Sequence, residues 1–567
     1  MYLDCLVKVP EIPGKIVYKK KGPSTYVLYE NGRSYDPKKR FNQPKRVIIG
    51  KLSGADKSMM QPNTGYLEQF PYAELPDEKA EPLRSRCLRA GTFIVLRKII
   101  EDYKLKDMLS AYFGIKDAGL LLDLAAYSII TESNVAQHYP DYAFNHPLLT
   151  QEMRMYSDSK VSDFLSGVTD EQRFGFLDEW NERKDKRQRI YISYDSTNKN
   201  CQAGQIAIVE KGHPKEDKGL AIYNYSIALD VKEKEPLFYE VYPGSIVDVS
   251  QLRSAVDEAN GYGYRNLGFI LDRGYFSKDN ISYMDENGYS FVIMANGITS
   301  LVDETVLEEK GSFEDDRLCY IKRFHVYGTT VRKRLYATDK ELRSFHIYHD
   351  SEKEATERTQ VDKKIDVLTE FLDKKVGTQY EASDYIKRYF DIYMEKDGDT
   401  FKGYTVKPEV IRKELKLCGY FCIVTSEKMN AKEALELYKS RDASEKLFAA
   451  DKMFLGSRSI RSHTIETLKA KSFVEFIALI VRNRFYSKLK AESETMVKAP
   501  NYMTVPAAIR ELEKIELIRG YDKTYRLSYA VTKKQKTILN AFGMDENYIR
   551  QKAIGIDEAL KLSEGSK

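Results

Sequence analysis

RIYISYDST, residues 189–197, is the stretch on which the fold turns. Ile190, Ile192 and Tyr194 alternate with Tyr191, Ser193 and Asp195, the period-2 pattern of a strand, and the strand carries an Asp. A second stretch, LGFILDRGYF at 267–276, is a short apolar run that ends abruptly in Asp272 and turns at Gly274. Carboxylates at or near strand ends, projecting into a crevice, are how α/β sheets present ligands. One such Asp is a weak signal, because Asp is a common turn and cap residue. Between the two stretches, 219–230 and 236–242 read as strands, and 248–260 reads as a helix after the Pro243-Gly244 turn. Beyond them, 277–287 reads as a helix and 289–295 as a buried strand.

Downstream, Tyr438, Arg441, Glu445 and Lys452 lie in a run of good helix formers free of Gly and Pro. On one continuous helix at 100° per residue, all four point from one sector of about 60°. Charged residues at helical spacing most often mark a solvated face. Here a carboxylate, two cations and a phenol share a direction, so Glu445 is a candidate metal ligand and Arg441 and Lys452 are candidate phosphate ligands.

Strand–strand–strand–helix–strand–helix–strand, with Asp195 on the first strand and Asp272 just after the fourth, resembles the order of an RNase H-like core. The residues resemble a bacterial insertion-sequence DDE transposase of the branch with a Tyr-x2-Arg-x3-Glu-x6-Lys signature, insertion-sequence family 4 and its relatives. Asp195 in YDST resembles the first catalytic Asp, Asp272 in LDRGYF the second, and Glu445 the third carboxylate. Tyr438, Arg441 and Lys452 complete the signature at its spacing. Pro243-Gly244-Ser245 through Ser250-Gln251-Leu252 resembles the family's segment before its helix, and Arg458 and Arg461 stand where it keeps a basic loop.

The resemblance implies DNA cleavage and strand transfer at the ends of an insertion sequence, by in-line phosphoryl transfer without a covalent protein intermediate. It implies Asp195, Asp272 and Glu445 as catalytic residues holding two Mg²⁺ ions, with Mn²⁺ as a substitute. It also implies DNA or phosphate contacts from Tyr438, Arg441, Lys452, Arg458 and Arg461. The partners would be double-stranded DNA, as terminal inverted repeats and target, and a second copy of the chain in a synaptic homodimer.

The expected fold class is an α/β RNase H-like catalytic core, a mixed five-stranded sheet with helices, interrupted by a β-rich insertion domain. An N-terminal β/basic segment and a helical domain precede it. The expected boundaries are 1–80 for the basic β-rich DNA-binding segment and 81–185 for a helical DNA-end-binding or dimerisation region. The core would comprise 186–296 and 426–495, with the insertion domain and a charged helix at 297–425 and a helical region at 496–567. The gap from Asp272 to Glu445 is too long for a simple connection. Within it, RLCYIKRFHVYG and TTVRKRLYATD read as strands joined near Gly328. Residues 473–490 read as an amphipathic helix on the sheet, and the tail from about 556 as a frayed polar end.

Some members of the family excise through a DNA hairpin and hold a flipped base with a Trp of the insertion domain. The single Trp here, Trp180, precedes Asp195. Tyr320, Phe324, Tyr327 and Tyr336 are the aromatic alternatives, each also readable as an ordinary strand residue.

Over 567 residues, 42% hydrophobic content suits folded domains, and a net charge of +5 makes the chain only weakly basic. The charge is local: Lys8 to Lys51 holds twelve Lys and Arg against three Asp and Glu, as in a DNA-binding arm or a solubilising surface. The six scattered Cys lack a matching ligand pair, which argues for free thiols in a reducing cytoplasm over a zinc site. His346 and His349 read as structural. The longest apolar stretches carry Asp123, Glu475 or Arg482, so no membrane span is expected, and no signal peptide is read. The expectation is a bacterial cytoplasmic protein, nucleoid-associated when bound to DNA. Competing readings are an RNase H-like nuclease without strand transfer, a catalytically inactive repurposed DNA-binding protein, and a glycosidase. A glycosidase leaves Arg441 and Lys452 unexplained, and metal dependence separates it from the others.

Overall fold

The computed structural model describes residues 2–565 except 4, 38–39, 55, 74, 76–83, 202–205, 213–219, 247, 296–298, 338, 340, 397 and 457–458. Arg458 therefore lies outside the described residues. The chain divides into two compact units, Met1–Phe164 with Arg484–Lys567, and Leu165–Asn483.

The second unit holds the sheet. After α1 (Asp170–Glu182) come β1 (Ile190–Cys201), β2 (Ile222–Asp230) and β3 (Glu235–Pro243), a meander. Then follow α2 (Asp248–Gly261), β4 (Leu267–Leu271), α3 (Lys278–Glu286), β5 (Ser290–Met294) and α4 (Thr299–Glu309). The next strands are β6 (Tyr320–Ile321), β7 (Val326–Lys333) and β8 (Arg343–His349), followed by α5 (Ser351–Asp373) and α6 (Asp384–Tyr389). A small hairpin of β9 (Phe390–Met394) and β10 (Phe401–Val406) leads to α7 (Pro408–Leu417) and β11 (Tyr420–Thr425). The unit closes with α8 (Ala431–Lys439), α9 (Asp442–Phe454), β12 (Ser459–Ile460) and α10 (Ile465–Glu494), the last belonging to this unit up to Asn483.

The sheet runs β6-β7-β8-β11-β5-β4-β1-β2-β3, with β12 added along β1. β1, β4 and β5 are mutually parallel, and β2 and β4 are buried at every residue. Strands apolar on both faces belong in the middle of a sheet covered on both sides. The five-stranded expectation is corrected: the described sheet has ten strands. β6, β7, β8 and β11 come from 297–425 and continue the sheet past β5, so that stretch does not fold wholly apart from it. The physical reason is β5, whose backbone would otherwise form an open edge. The rest of the stretch has its own small core, Leu372, Ala382, Ile386, Tyr389, Phe390 and Phe401.

Three further expectations change. Gly328 is not a turn; it lies inside β7, paired with Tyr348. The turn falls just before, where His325 has a positive φ of 56°. A Cβ on Gly328 would sit 2.8 Å from the Tyr348 ring, so glycine serves close packing there. The α10 helix is buried around its whole circumference from Ser472 to Arg482, not amphipathic. Phe473 meets Phe176 of α1 at 5.4 Å between ring centroids, and Phe476 meets Tyr239 of β3 at 5.0 Å, so the helix has partners on two sides. The tail is not frayed at 556: a helix runs over Glu546–Gly565 with Ile556 and Leu560 buried.

The first unit begins with a five-stranded antiparallel sheet ordered Val7–Lys8, Met59–Pro62, Phe41–Leu52, Ser24–Asp36, Ile16–Lys21. Val7, Val27, Ile49, Met60 and Tyr66 form its core. Helices Gly91–Asp102, Leu105–Thr131 and Tyr139–Asn145 follow, and Val505–Leu512, Lys533–Asn540 and Glu546–Gly565 come from the C-terminal part. Strand Glu516–Arg519 pairs with Cys87–Arg89 and ties the two parts together. Among the described residues no helix is long and apolar enough to cross a membrane.

Candidate active site

The site grows out of the contact between β1 and β4. The parallel register matches Phe269 with Ile192 and Ile270 with Ser193. Continued two residues, it sets Asp272 level with Asp195 on strands about 4.8 Å apart. Asp195 is half-buried within β1, and its Oδ1 accepts the Ser196 N–H at 2.9 Å. Asp272 is the first residue after β4 and caps the short turn Arg273–Tyr275, whose Tyr275 N–H reaches the Asp272 carbonyl at 3.0 Å. The edge of β1 taken by β4 at Ile190–Ser193 is taken by β12 at Asn200–Cys201, and α9 packs against β1.

Tyr438, Arg441, Glu445 and Lys452 do not lie on one helix, which corrects the single-helix expectation. α8 ends at Lys439, and Ser440 and Arg441 form the turn into α9. The Ser440 hydroxyl donates to the Leu437 carbonyl of its own helix, and the Arg441 N–H goes back only three residues, to Tyr438, at 3.1 Å. A serine that bonds its own backbone competes with the regular ladder, and the turn tightens. The break frees Arg441 to face the strands.

Arg441 is the hub. Its Nη1 lies 3.4 Å from Asp272 Oδ1, and its Nη2 donates to Glu445. Its side chain is 12% exposed, against 39% for Asp272 and 53% for Glu445, so the cation is the most enclosed of the three. Burial alone would lower its pKa; Asp272, then Tyr438, Asp195 and Glu445, outweigh it and hold the guanidinium above its ordinary value. All three carboxylates thus act on one positive charge. Nη1 makes no hydrogen bond.

Tyr438 is buried at the end of α8, in a cluster with Ile270, Val292, Ile423 and Leu435, so its ring serves the core rather than an open stacking surface. The Arg441 guanidinium lies 5.8 Å from the ring centroid. Burial pushes the phenol up to about 12; Asp272 and Glu445 add to this, and Arg441 and Arg273 oppose it. Lys452 is half-buried in the last turn of α9. Arg461 is exposed just after β12, and its carbonyl accepts the Lys471 ammonium at 2.6 Å.

Sequence reasoning passed over two groups. Arg273 is exposed and near enough for its charge to act on the Tyr438 phenol; its signal was a cation directly after a strand-end Asp. Behind Asp195, on the other face of β1, the Tyr194 hydroxyl donates to Glu240 of β3 at 2.7 Å. Glu240 also accepts from Gln251 at 3.0 Å and Ser254 at 2.9 Å, both on α2. Glu258 of α2, which accepts the Tyr262 hydroxyl at 2.9 Å, is pushed up to about 8 by burial and by the charge of Glu240. Nothing in the local sequence pairs Glu240 with Glu258.

The aromatic alternatives are all half-buried. Trp180 is buried, with its indole N–H on the Pro236 carbonyl at 2.8 Å. His346 is held between Thr330 at 2.8 Å and Thr425 at 3.0 Å, and burial lowers it to about 4.

A family model described as Transposase DDE domain matches residues 188–481, just over half of the chain. The chain belongs to this DDE transposase-domain family. No curated protein matches it. Among solved structures, the chain is similar to a piggyBac transposase synaptic complex with hairpin DNA at 9% identity, covering 82% of each chain with a TM-score of 0.35. It is also similar to a pre-cleavage Mos1 transpososome at 10% identity, covering 30% of this chain and 57% of that one with a TM-score of 0.14. A Mos1 paired-end complex with the left transposon end gives 10% identity, 40% and 65% coverage, and a TM-score of 0.14.

Proposed function

We propose that the chain is a transposase that cuts and rejoins DNA at the ends of an insertion sequence, using Asp195, Asp272 and Glu445 on an RNase H-like core. The observation that carries this reading is the focus of these three carboxylates on the single guanidinium of Arg441. The strand order β3-β2-β1-β4-β5, with β1, β4 and β5 parallel, supports the RNase H-like assignment. The Tyr-Arg-Glu-Lys spacing supports the family 4 branch.

Three carboxylates are a hard-oxygen donor set of the kind Mg²⁺ takes, and they already surround a cation, so the residues fit the metal in chemistry. Among the described residues no three such side chains are gathered tightly enough to hold one ion as they stand, with Arg441 between them. Asp195, Asp272 and Glu445 would hold two Mg²⁺ ions. Those ions would supply activation of the attacking oxygen and stabilisation of the leaving one.

The chain's own residues do the rest. Arg441 carries a donor, Nη1, that makes no hydrogen bond and lies 3.4 Å from Asp272 Oδ1, and in the proposed complex it would turn to a phosphate oxygen. Its guanidinium stays charged at any working pH. Tyr438, with its phenol pushed up to about 12, stays neutral and can donate or accept but not repel phosphate. Lys452, Arg461 and Arg458 would steady the flanking backbone as point charges or forks. Double-stranded DNA is the partner, and two copies would act together because both ends of an element must be cut.

The test is cleavage of a labelled duplex carrying the element's own terminal repeat, with Mg²⁺ or Mn²⁺ against EDTA. Metal-dependent nicking at the repeat boundary, lost in Asp195→Ala, Asp272→Ala and Glu445→Ala with folding intact, is the expected result. DNA binding with no cleavage under any condition would favour a repurposed DNA-binding protein.

A further inference from the structure

In the N-terminal sheet, strand Ser24–Asp36 pairs with Ile16–Lys21 only as far as Tyr29. Strand Phe41–Leu52 pairs with Met59–Pro62 only from Gly50 onward. Beyond those points the two long strands pair with each other alone: Gly32 with Lys45, Arg33 with Pro44, Ser34 with Gln43, Tyr35 with Asn42 and Asp36 with Phe41. Among the described residues this is a two-stranded ribbon with no further strand on either edge. A bulge between Glu30 and Gly32, where Asn31 is the extra residue, sets it off from the rest of the sheet. At the tip the Arg40 N–H donates to the Asp36 carbonyl at 2.9 Å, with Arg40 in the left-handed region.

Cross-strand partners share a face. One face therefore carries Arg33, Tyr35 and Asn42, and the other Lys45, Phe41 and Gln43: a cation, an aromatic ring and an amide on each side. Arg33 is 69% exposed, Tyr35 62% and Phe41 52%. Residues 30–46 hold six Lys and Arg against two acids, and one of these acids, Glu30, sits at the base paired with Arg33 and Arg46. Charge alone would be enough to blunt open strand edges against aggregation. Exposed rings on both faces, and the exposed amide of Asn42, add nothing to that protection and need another reason.

We propose that this ribbon reads duplex DNA by lying in the major groove. The groove is about 12 Å wide and admits a two-stranded β-ribbon. Five residue pairs span about 16 Å, enough to follow the groove floor across several base pairs. With the Arg33 face on the groove floor, Arg33 is suited to guanine and Asn42 to adenine, while Lys45 on the other face suits the phosphates of the groove wall, which any sequence offers. The choice of DNA over another polyanion rests on the proposed function.

The full chain is used to select from a duplex pool with a randomised centre, and the recovered duplex becomes the probe. Arg33→Ala and Asn42→Ala, on the face against the bases, are each expected to bind it about 10-fold or more weaker, with the preference over unselected duplex reduced. Lys45→Ala is expected to weaken both duplexes alike and lower the salt slope by about one. Unchanged melting temperatures confirm that these exposed changes spare the fold. Three results overturn the ribbon's role: wild-type affinity in both reading variants, no sequence preference after selection, or equally tight binding of the matching single strand. The two claims fail separately. Loss of selective binding in the ribbon variants alongside a wild type that never nicks DNA would leave the ribbon standing and refute the active-site reading. Metal-dependent nicking with unaffected ribbon variants would do the reverse.

Discussion

Two groups of carboxylates flank β1, and the same strand serves both. On one face Asp195, with Asp272 and Glu445 beside it, is answered by a guanidinium, and the acidic side chains stay partly open to solvent. On the other, Glu240 and Glu258 have no cation among their charge partners, and both are pushed upward by burial first. There a proton does the neutralising: Glu258 is shifted to about 8 by burial and the neighbouring charge, so it is protonated at pH 7 and donates to Glu240. Under the proposed function, carboxylates that face a shared guanidinium would exchange it for a metal ion. A carboxyl pair that shares one proton is framework, and here it braces β1, β3 and α2 behind Asp195.

Replacing one carboxyl by an amide in each group sharpens the contrast most. Glu445→Gln is expected to lower metal-dependent cleavage roughly a thousandfold, an effect of the size seen when a transition-state charge stabiliser is lost. Glu258→Gln, the same substitution in the other group, should leave cleavage within about twofold, because the replaced group is already neutral. Equal losses in both would erase the distinction.

The next effect is on stability against pH. The folded pKa of Glu258 is raised above its unfolded value, so its contribution is full below about pH 4.5 and is lost as pH rises through about 8. Thermal melts of wild type should fall across that window, and Glu258→Gln should flatten the fall. A parallel pair of curves would mean that the two carboxyls do not share a proton.

Arg441→Met should give the smallest change. It removes a counter-ion from carboxylates partly open to solvent, for which screening limits the loss to about 1 kcal/mol in urea unfolding. It should also raise the Tyr438 phenol further in an ultraviolet titration, because Arg441 is the largest influence holding it down.

Much of this was legible in the residues. The alternation in 190–195, the apolar run before Asp272 and the buried run at 290–294 correspond to β1, β4 and β5, because strand periodicity and burial are local signals. Asp195 and Asp272 could be named as candidates for the same reason, and Glu445 by the helical spacing of its charged neighbours and the family resemblance. What could not be read was non-local. Five more strands join the sheet because edges need partners, and which segment supplies them is decided by tertiary pairing. The break at Ser440-Arg441 hides inside a run of good helix formers, where propensity argues for continuity and one hydroxyl undoes it. Glu240 and Glu258 meet only because α2 folds across β3.

The measurement that tests the central claim most directly is Mn²⁺ binding to the DNA-free chain, followed by the paramagnetic resonance signal of the free ion. Wild type should take up Mn²⁺, and Asp195→Asn, Asp272→Asn and Glu445→Gln should each lose most of that uptake, while Glu258→Gln keeps it. Uptake that survives in the first three variants, or that disappears with Glu258, would contradict the account.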